Sequence, residues 1–194
     1  MVRMERSRCI YFWLISLKLS DICGIDEAGR GPLAGPMVVA GVVLVSAVEG
    51  ARDSKKLTES KREALYGQII ANSKYKIVFK SHIEIDEKGL SQCLREALEE
   101  IKNTLVAKQY IMDGNTNFGV LGIDTIIKGD DKIPAISCAS ILAKVSRDRF
   151  MHALDSQYDI YEFGRHKGYG TKLHKELIGE YGLSDIHRKS FQIS

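Results

Sequence analysis

Residues 22–48 read ICGIDEAGRGPLAGPMVVAGVVLVSAV, and the fold turns on how that run divides. Ile22 to Asp26 is a short apolar run ending in acid, the pattern of a buried strand. Met37 to Val48 is almost uninterruptedly apolar and β-branched, as a strand covered on both faces must be. Between them, Gly24 to Pro36 holds four glycines and two of the chain's three prolines. A glycine turn after a strand invites a dinucleotide reading, but that site needs a helix starting at the turn. Pro32, Pro36 and a second strand stand there instead. Glycine turns also let a ligand approach the backbone closely. With Arg30 beside Asp26 and Glu27, a phosphate or sugar is the natural guess.

Working outward, Ser60-Lys-Arg-Glu63 reads as a capping box opening a helix whose apolar face is Ala64, Leu65 and Ile69. Residues 75–83 alternate in part (Tyr75, Ile77, Phe79 against Lys74, Lys76, Lys80), which predicts a half-exposed strand. Leu90, Leu94, Leu98, Ile101 and Leu105 recur at helical spacing and predict an amphipathic helix over 90–106. Residues 109–112 form a short strand closed by Asp113-Gly114-Asn115. Another strand covers 123–128 and stops at Gly129-Asp130-Asp131. Residues 137–154 are helical, with Ile141, Val145 and Phe150 apolar and Lys144, Arg147 and Arg149 basic. A loop at 164–170 precedes a last helix at 172–181. Strands first, then strands alternating with helices, predict an α/β sheet of mixed direction in one domain.

Composition narrows the class. The chain has 194 residues, of which 44% are hydrophobic and 27% charged; this is the balance of a soluble globular domain, not of a disordered, collagen-like or polytopic membrane chain. Lys plus Arg number 28 against 25 acids, a net charge of +3, so any polyanion site must be a local patch. Cys9, Cys23, Cys93 and Cys138 are far apart with no C-x-x-C pair, which argues against structural zinc and a disulfide framework and for reduced thiols in a cytoplasmic protein. Arg3, Arg6 and Arg8 precede the apolar run Cys9–Leu17, which looks like a signal peptide. The run is too short to span a bilayer, which takes roughly 20 residues, and no small-x-small cleavage site follows. A further strand, or a start codon placed upstream, accounts for it, so residues 1–21 are set apart from a domain over 22–194.

Three carboxylate positions close three expected strands: Asp26 with Glu27, Asp113, and Asp130. In an open α/β sheet the carboxyl ends of strands face one crevice, where ligands bind. Two unit charges 4 Å apart repel by about 4 kcal/mol at an effective dielectric near 20. Several acids in one crevice therefore call for a cation, and hard oxygen donors suit Mg²⁺ or Mn²⁺. Asp113 before Gly114-Asn115 serves equally well as a turn former. Neighbouring strand residues point to opposite faces, so Asp26 and Glu27 share a site only if the backbone bends, which Gly29 and Gly31 permit. Arg165, Lys167, Lys172 and Lys175 lie within eleven residues containing no acid, and Lys144 and Arg147 share a helical face. By themselves these read as a solvated face; Lys55 and Lys56 divide between phosphate contact and loop solvation. His166, His174 and His187 read as structural, and Tyr110, Phe118 and Phe163 as core.

Six motifs in order carry a resemblance: GIDEAGRGPLAGP (24–36), DSKKL (53–57), Asp113-Gly-Asn, Lys128-Gly-Asp130, ASILAKVSRD (139–148) and HKGYG (166–170). Over about residues 22–191 the chain resembles ribonuclease HII. The resemblance implies an RNase H-like fold, a central mixed five-stranded sheet flanked by helices. It also implies endonucleolytic cleavage of the RNA strand of RNA/DNA hybrids, including a single ribonucleotide in duplex DNA, leaving a 5′-phosphate and a 3′-hydroxyl. Asp26, Glu27, Asp113 and Asp130 match the family's metal-holding and catalytic acids; Asp130 rather than Asp131 follows the Lys-Gly of the motif. Gly29, Arg30 and Gly31 match the loop that reads the ribose 2′-hydroxyl, and Tyr169 the tyrosine that packs on that sugar. Lys55, Lys144, Arg147 and Lys167 are the expected duplex contacts. Cys138 stands where alanine is common, the first twenty residues exceed the pattern, and the chain stops soon after Phe191, short of the helical extension of some members. The expected protein is a cytoplasmic monomer with no membrane partner. Two rivals remain: a non-catalytic binder of RNA/DNA, which would tolerate loss of Asp26, Asp113 or Asp130, and a dinucleotide-dependent enzyme, which Pro32 and Pro36 oppose.

Overall fold

A computed structural model describes residues 18–51 and 57–193; the readings of the apolar N-terminal run and of Lys55 and Lys56 lie outside the described residues. Five strands form one sheet: β1 (Ile22–Ala28), β2 (Met37–Leu44), β3 (Ser73–Lys80), β4 (Gln109–Asp113) and β5 (Ile123–Ile126), in the order β3-β2-β1-β4-β5. The β1/β2 and β2/β3 pairs are antiparallel, while β4 lies parallel to both β1 and β5. The mixed five-stranded sheet expected above is present.

Helices cover both faces: α1 (Glu59–Ala71), α2 (His82–Lys88), α3 (Leu90–Thr104), α4 (Pro134–Ala153), the single turn α5 (Phe163–His166) and α6 (Lys172–Tyr181). Every residue of β2 is buried, because α4 and α1 pack on one face and α3 on the other. Along β1, Cys23 and Ile25 join the α3 side. Gly24 faces α4 so closely that a Cβ there would overlap the Ala135 and Ile136 backbone. The α3 helix buries Cys93, Leu94, Ala97, Leu98 and Ile101, the spaced apolar face read from sequence.

Six local expectations are corrected. The fifth strand ends at Ile126, short of 128, and a helical turn at Phe163–His166 occupies the start of the expected loop 164–170. The cap of α1 is Thr58, whose hydroxyl accepts from the Lys61 amide; Ser60 lies inside the first turn. The second strand ends at Leu44, since 45–47 are exposed. The third strand stops at Lys80, where Ser81 forms the reciprocal cap of α2 with Glu84. Its exposed side chains include Tyr75 and Phe79, whereas Val78 and Lys80 are buried; Lys80 pairs with Glu84 and Glu96, so an ion pair replaces apolar packing there. Finally, α4 begins at Pro134, a residue suited to a first helical turn, and Phe150 is exposed on it.

Candidate active site

The last paired residues of β1 and β4 are Ile25 and Met112, so the next pair of positions sets Asp26 beside Asp113. Alternation puts both on the α4 side, since Ile111 packs in that core and Met112 in the other. Glu27 alternates to the opposite face, yet it enters the same crevice without a break in the strand, which runs on to Ala28. The bend invoked from Gly29 and Gly31 is not needed to bring Asp26 and Glu27 to one crevice. That crevice, of about 460 Å³, is lined by Asp26, Glu27, Asp113, Gly29, Arg30, Gly31 and Tyr169, with Ser140, Lys144 and Arg62 on its α4 and α1 side.

Electrostatics mark the rim as a place for added positive charge. Burial, then the Glu27 charge and more weakly Asp113, push Asp26 up to about 7, against hydrogen bonds from Ser140 and the Glu27 amide. Burial likewise raises Glu27, although Arg30 Nη1 sits 3.2 Å from its Oε1. Glu27 Oε2 is buried and accepts no hydrogen bond among the described residues, an arrangement that costs free energy unless a cation or donor arrives. Asp113 Oδ1 accepts from the Gly129 amide at 2.7 Å, which ties the turn after β5 to the end of β4. Asp130, one residue further on, is 2% exposed and does not line the crevice. Among the described residues no three His, Cys, Asp or Glu side chains are gathered tightly enough to cage an ion as they stand. The donor chemistry fits a hard divalent cation all the same: oxygen only, anionic and with a buried orphan oxygen.

The glycine loop is held from behind. Gly29 has φ +92°, and a Cβ there would overlap Arg147 Nε. Arg147 is 0% exposed; its three guanidinium nitrogens donate to the carbonyls of Pro36 (2.8 Å), Lys167 (2.8 Å) and Ala34 (3.1 Å). This corrects the expectation of a duplex contact: at Arg147 the charge is spent on backbone, while Lys144 on the same face stays partly exposed. Tyr169, 38% exposed, lies over that guanidinium at 5.4 Å, at the crevice edge. Lys167 turns its ammonium onto the Gly164 carbonyl, so it too is engaged locally. Lys144 does line the crevice while pairing with Asp148 at 2.6 Å. Arg165 and Lys172 pair with Glu162 and Glu176, acids just outside the acid-free stretch.

Sequence reading missed Ser140 and Arg62 in the crevice, and Arg188 behind the loop. Ser140 had a signal, four residues before Lys144 and so on the same helical face. Arg62 was hidden in what read as a capping box, and Arg188 in a tail without periodicity. The three histidines are structural as expected: His166, His174 and His187 are buried together, with His166 and His174 stacked at 4.1 Å.

A mixed sheet in this order, with acids from two adjacent parallel strands meeting at one rim, defines a hydrolase of the RNase H-like fold, and comparison with solved structures agrees. The ribonuclease HII of Archaeoglobus fulgidus, solved in complex with PCNA, superposes with a TM-score of 0.78 at 27% identity, over 89% of this chain and 96% of that one. The ribonuclease H2 of Pyrococcus horikoshii gives 0.72 at 28%, over 89% and 94%. The Ribonuclease HII family model matches residues 23–194. The Ribonuclease HII of Sulfurovum is 52% identical over 172 residues, 89% of this chain and 92% of that protein. That of Aliarcobacter butzleri is 54% identical over 177 residues, 90% and 92%. The chain belongs to the ribonuclease HII family, whose members are metal-dependent ribonucleases H.

Proposed function

We propose that this chain cuts the RNA strand of RNA/DNA hybrids, and a single ribonucleotide within duplex DNA, leaving a 5′-phosphate and a 3′-hydroxyl. The observation that carries the reading is a shared crevice: Asp26, Glu27 and Asp113 line it together with Gly29, Arg30, Gly31 and Tyr169. Acids for hydrolysis and backbone for sugar recognition stand in reach of one nucleotide.

Asp26, Glu27 and Asp113 would hold Mg²⁺ or Mn²⁺ at the crevice, and Asp130, buried next to the Gly129 turn and off the crevice lining, is the fourth acid assigned to the ion by the family motif. When bound, the ion polarises the phosphodiester and promotes attack by water. Glu27 brings a buried oxygen that no described residue satisfies, and Asp26 a carboxylate whose charge burial opposes. Asp113 accepts from the Gly129 amide through one oxygen, which holds its carboxylate at the end of β4 on the crevice. The 2′-hydroxyl is the group that separates RNA from DNA at a nucleotide, and the amides of Gly29, Arg30 and Gly31 read it. Tyr169 packs on the same sugar, with the Arg147 guanidinium 5.4 Å from its ring centre. Lys144 and Arg62 face the phosphates from the α4 and α1 side. We place the protein in the cytoplasm, acting as a monomer; the buried free thiols of Cys23, Cys93 and Cys138 suit a reducing compartment. Among the described residues no helix is long and apolar enough to cross a membrane.

The test is hydrolysis of a duplex carrying one ribonucleotide, with and without Mg²⁺ or Mn²⁺, beside the all-deoxy duplex. Cleavage at the ribonucleotide, only with metal and only in the ribo duplex, is the expected result. Equal cutting of both duplexes would remove the sugar-reading role. Tyr169→Ala is expected to slow cleavage at a lone ribonucleotide; unchanged rates on all substrates would contradict its assignment.

A further inference from the structure

Behind the glycine loop lies a second buried arginine, contributed by the segment after α6. Arg188 is 2% exposed, and its Nε donates to the Gly35 carbonyl (3.0 Å), Nη1 to Arg30 (3.0 Å) and Nη2 to Gly29 (2.6 Å). Its backbone joins the same loop: the Arg188 amide donates to Leu33 at 2.8 Å, Gly35 donates to Ile186 at 3.0 Å, and Ala34 bridges His187. Phe191 covers the guanidinium at 5.0 Å. Three donors of one rigid fork thus hold three carbonyls of one loop.

In a trans peptide the carbonyl and the next N–H point in opposite directions. With the Gly29 and Arg30 carbonyls drawn onto Arg188, the amides of Arg30 and Gly31 are aimed away from it, on the loop that lines the crevice. A charged donor on a carbonyl also polarises that peptide and strengthens its N–H. Those two carbonyls are occupied, so this part of the loop meets a ligand with donors. We propose that Arg188 is a positioning residue that sets the ribose preference of the loop by fixing the Arg30 and Gly31 amides toward the 2′-oxygen. This rests on the reading of residues 29–31 as the sugar-reading loop.

The experiment measures affinity for a duplex with one ribonucleotide and for its all-deoxy twin, with Ca²⁺ as the ion, in wild type and Arg188→Lys. Lysine keeps the charge but cannot span three carbonyls. The expected result is a ribo/deoxy preference lowered by about tenfold or more, with all-deoxy affinity within about twofold of wild type. An unchanged preference overturns the proposal, and so does an equal loss on both duplexes, which marks a merely structural arginine. Wild type lacking any preference would instead refute the sugar-reading function of the loop. In that event, or if Arg188→Lys does not fold, the wild-type protein still decides about Arg188: through-hydrogen-bond NMR couplings from its guanidinium nitrogens to the Gly29 and Arg30 carbonyl carbons are expected, and their absence overturns it.

Discussion

The crevice rim and the layer behind the glycine loop invert each other. At the rim, Asp26, Glu27 and Asp113 come together with Arg30 as a half-exposed counter-charge, and burial raises both Asp26 and Glu27. Behind the loop, Arg147 and Arg188 are buried with no carboxylate within ion-pair distance among the described residues, yet six carbonyls satisfy them. Backbone carbonyls compensate a buried cation without adding net charge; at the rim, the Glu27 and Gly129 amides reach Asp26 and Asp113, while Glu27 Oε2 meets no donor among the described residues. One region is complete as folded, and the other is completed by what binds it. Substitutions at the rim should therefore spare the fold and abolish activity, whereas substitutions behind the loop should reach activity through the fold.

The largest effect that sharpens this contrast is at Asp113. Asp113→Asn keeps an oxygen for the Gly129 amide but removes charge, so the melting temperature is expected to hold or rise. Hydrolysis should fall by more than about 100-fold, beyond the 10–100-fold typical of losing a supporting outer group. Wild-type rates would erase the rim as a catalytic centre. Next is Arg147→Met, which leaves the carbonyls of Ala34, Pro36 and Lys167 without their donors. At about 1–3 kcal/mol per buried unsatisfied group, chemical denaturation should show a loss of about 3 kcal/mol or more. A loss under about 1 kcal/mol would mean that water replaces the guanidinium there, and the region is not complete by itself.

A smaller, pH-dependent effect comes from the histidines behind Tyr169. His174 Nδ1 lies 3.0 Å from the Tyr169 carbonyl and donates to it, so its Nε2 accepts from His187 Nε2 at 3.0 Å. His187 Nδ1 in turn accepts from the Ser184 amide and hydroxyl. Every ring nitrogen in that chain is used only when both rings are neutral. Burial, with the neighbouring imidazoles, lowers both to about 4, from 6.5. Between those values these two rings bind more protons in the unfolded chain than in the folded one, so their contribution to stability falls as pH drops below 6.5 and is lost below about 4. Thermal melts from pH 7 to 4 check it, and His174→Gln should flatten the slope.

How much of this was legible depends on whether a signal is local. Strands β1, β2 and β4, the α3 stripe and the acids at the strand ends announce themselves because burial on two faces, helical spacing and turn residues act over a few positions. The inversion of β3 was not legible. Its buried Lys80 is set by Glu84 and Glu96, one on α2 and one on α3. Arg147 looked like a surface cation since its partners, the carbonyls of residues 34, 36 and 167, carry no side-chain signature. Arg188 is invisible for the same reason, as it recognises backbone 150 or more residues away.

Lys144 tests the border between the two regions. It lines the crevice, yet its ammonium is 2.6 Å from Asp148, a buried acid on the same helix. Alanine would strand that acid, so the informative change is Lys144→Gln, which keeps an N–H donor for Asp148 and removes only the charge. If Lys144 also meets a phosphate, the slope of log affinity against log salt should become shallower by about 0.9, with affinity weakened alike for ribo and deoxy duplexes. Stability should move by less than about 0.5 kcal/mol, as for substitutions that leave buried groups paired. An unchanged slope would assign Lys144 wholly to Asp148, and the border would shift so that, among the described residues lining the crevice on that side, the cation left for the duplex is Arg62 of α1.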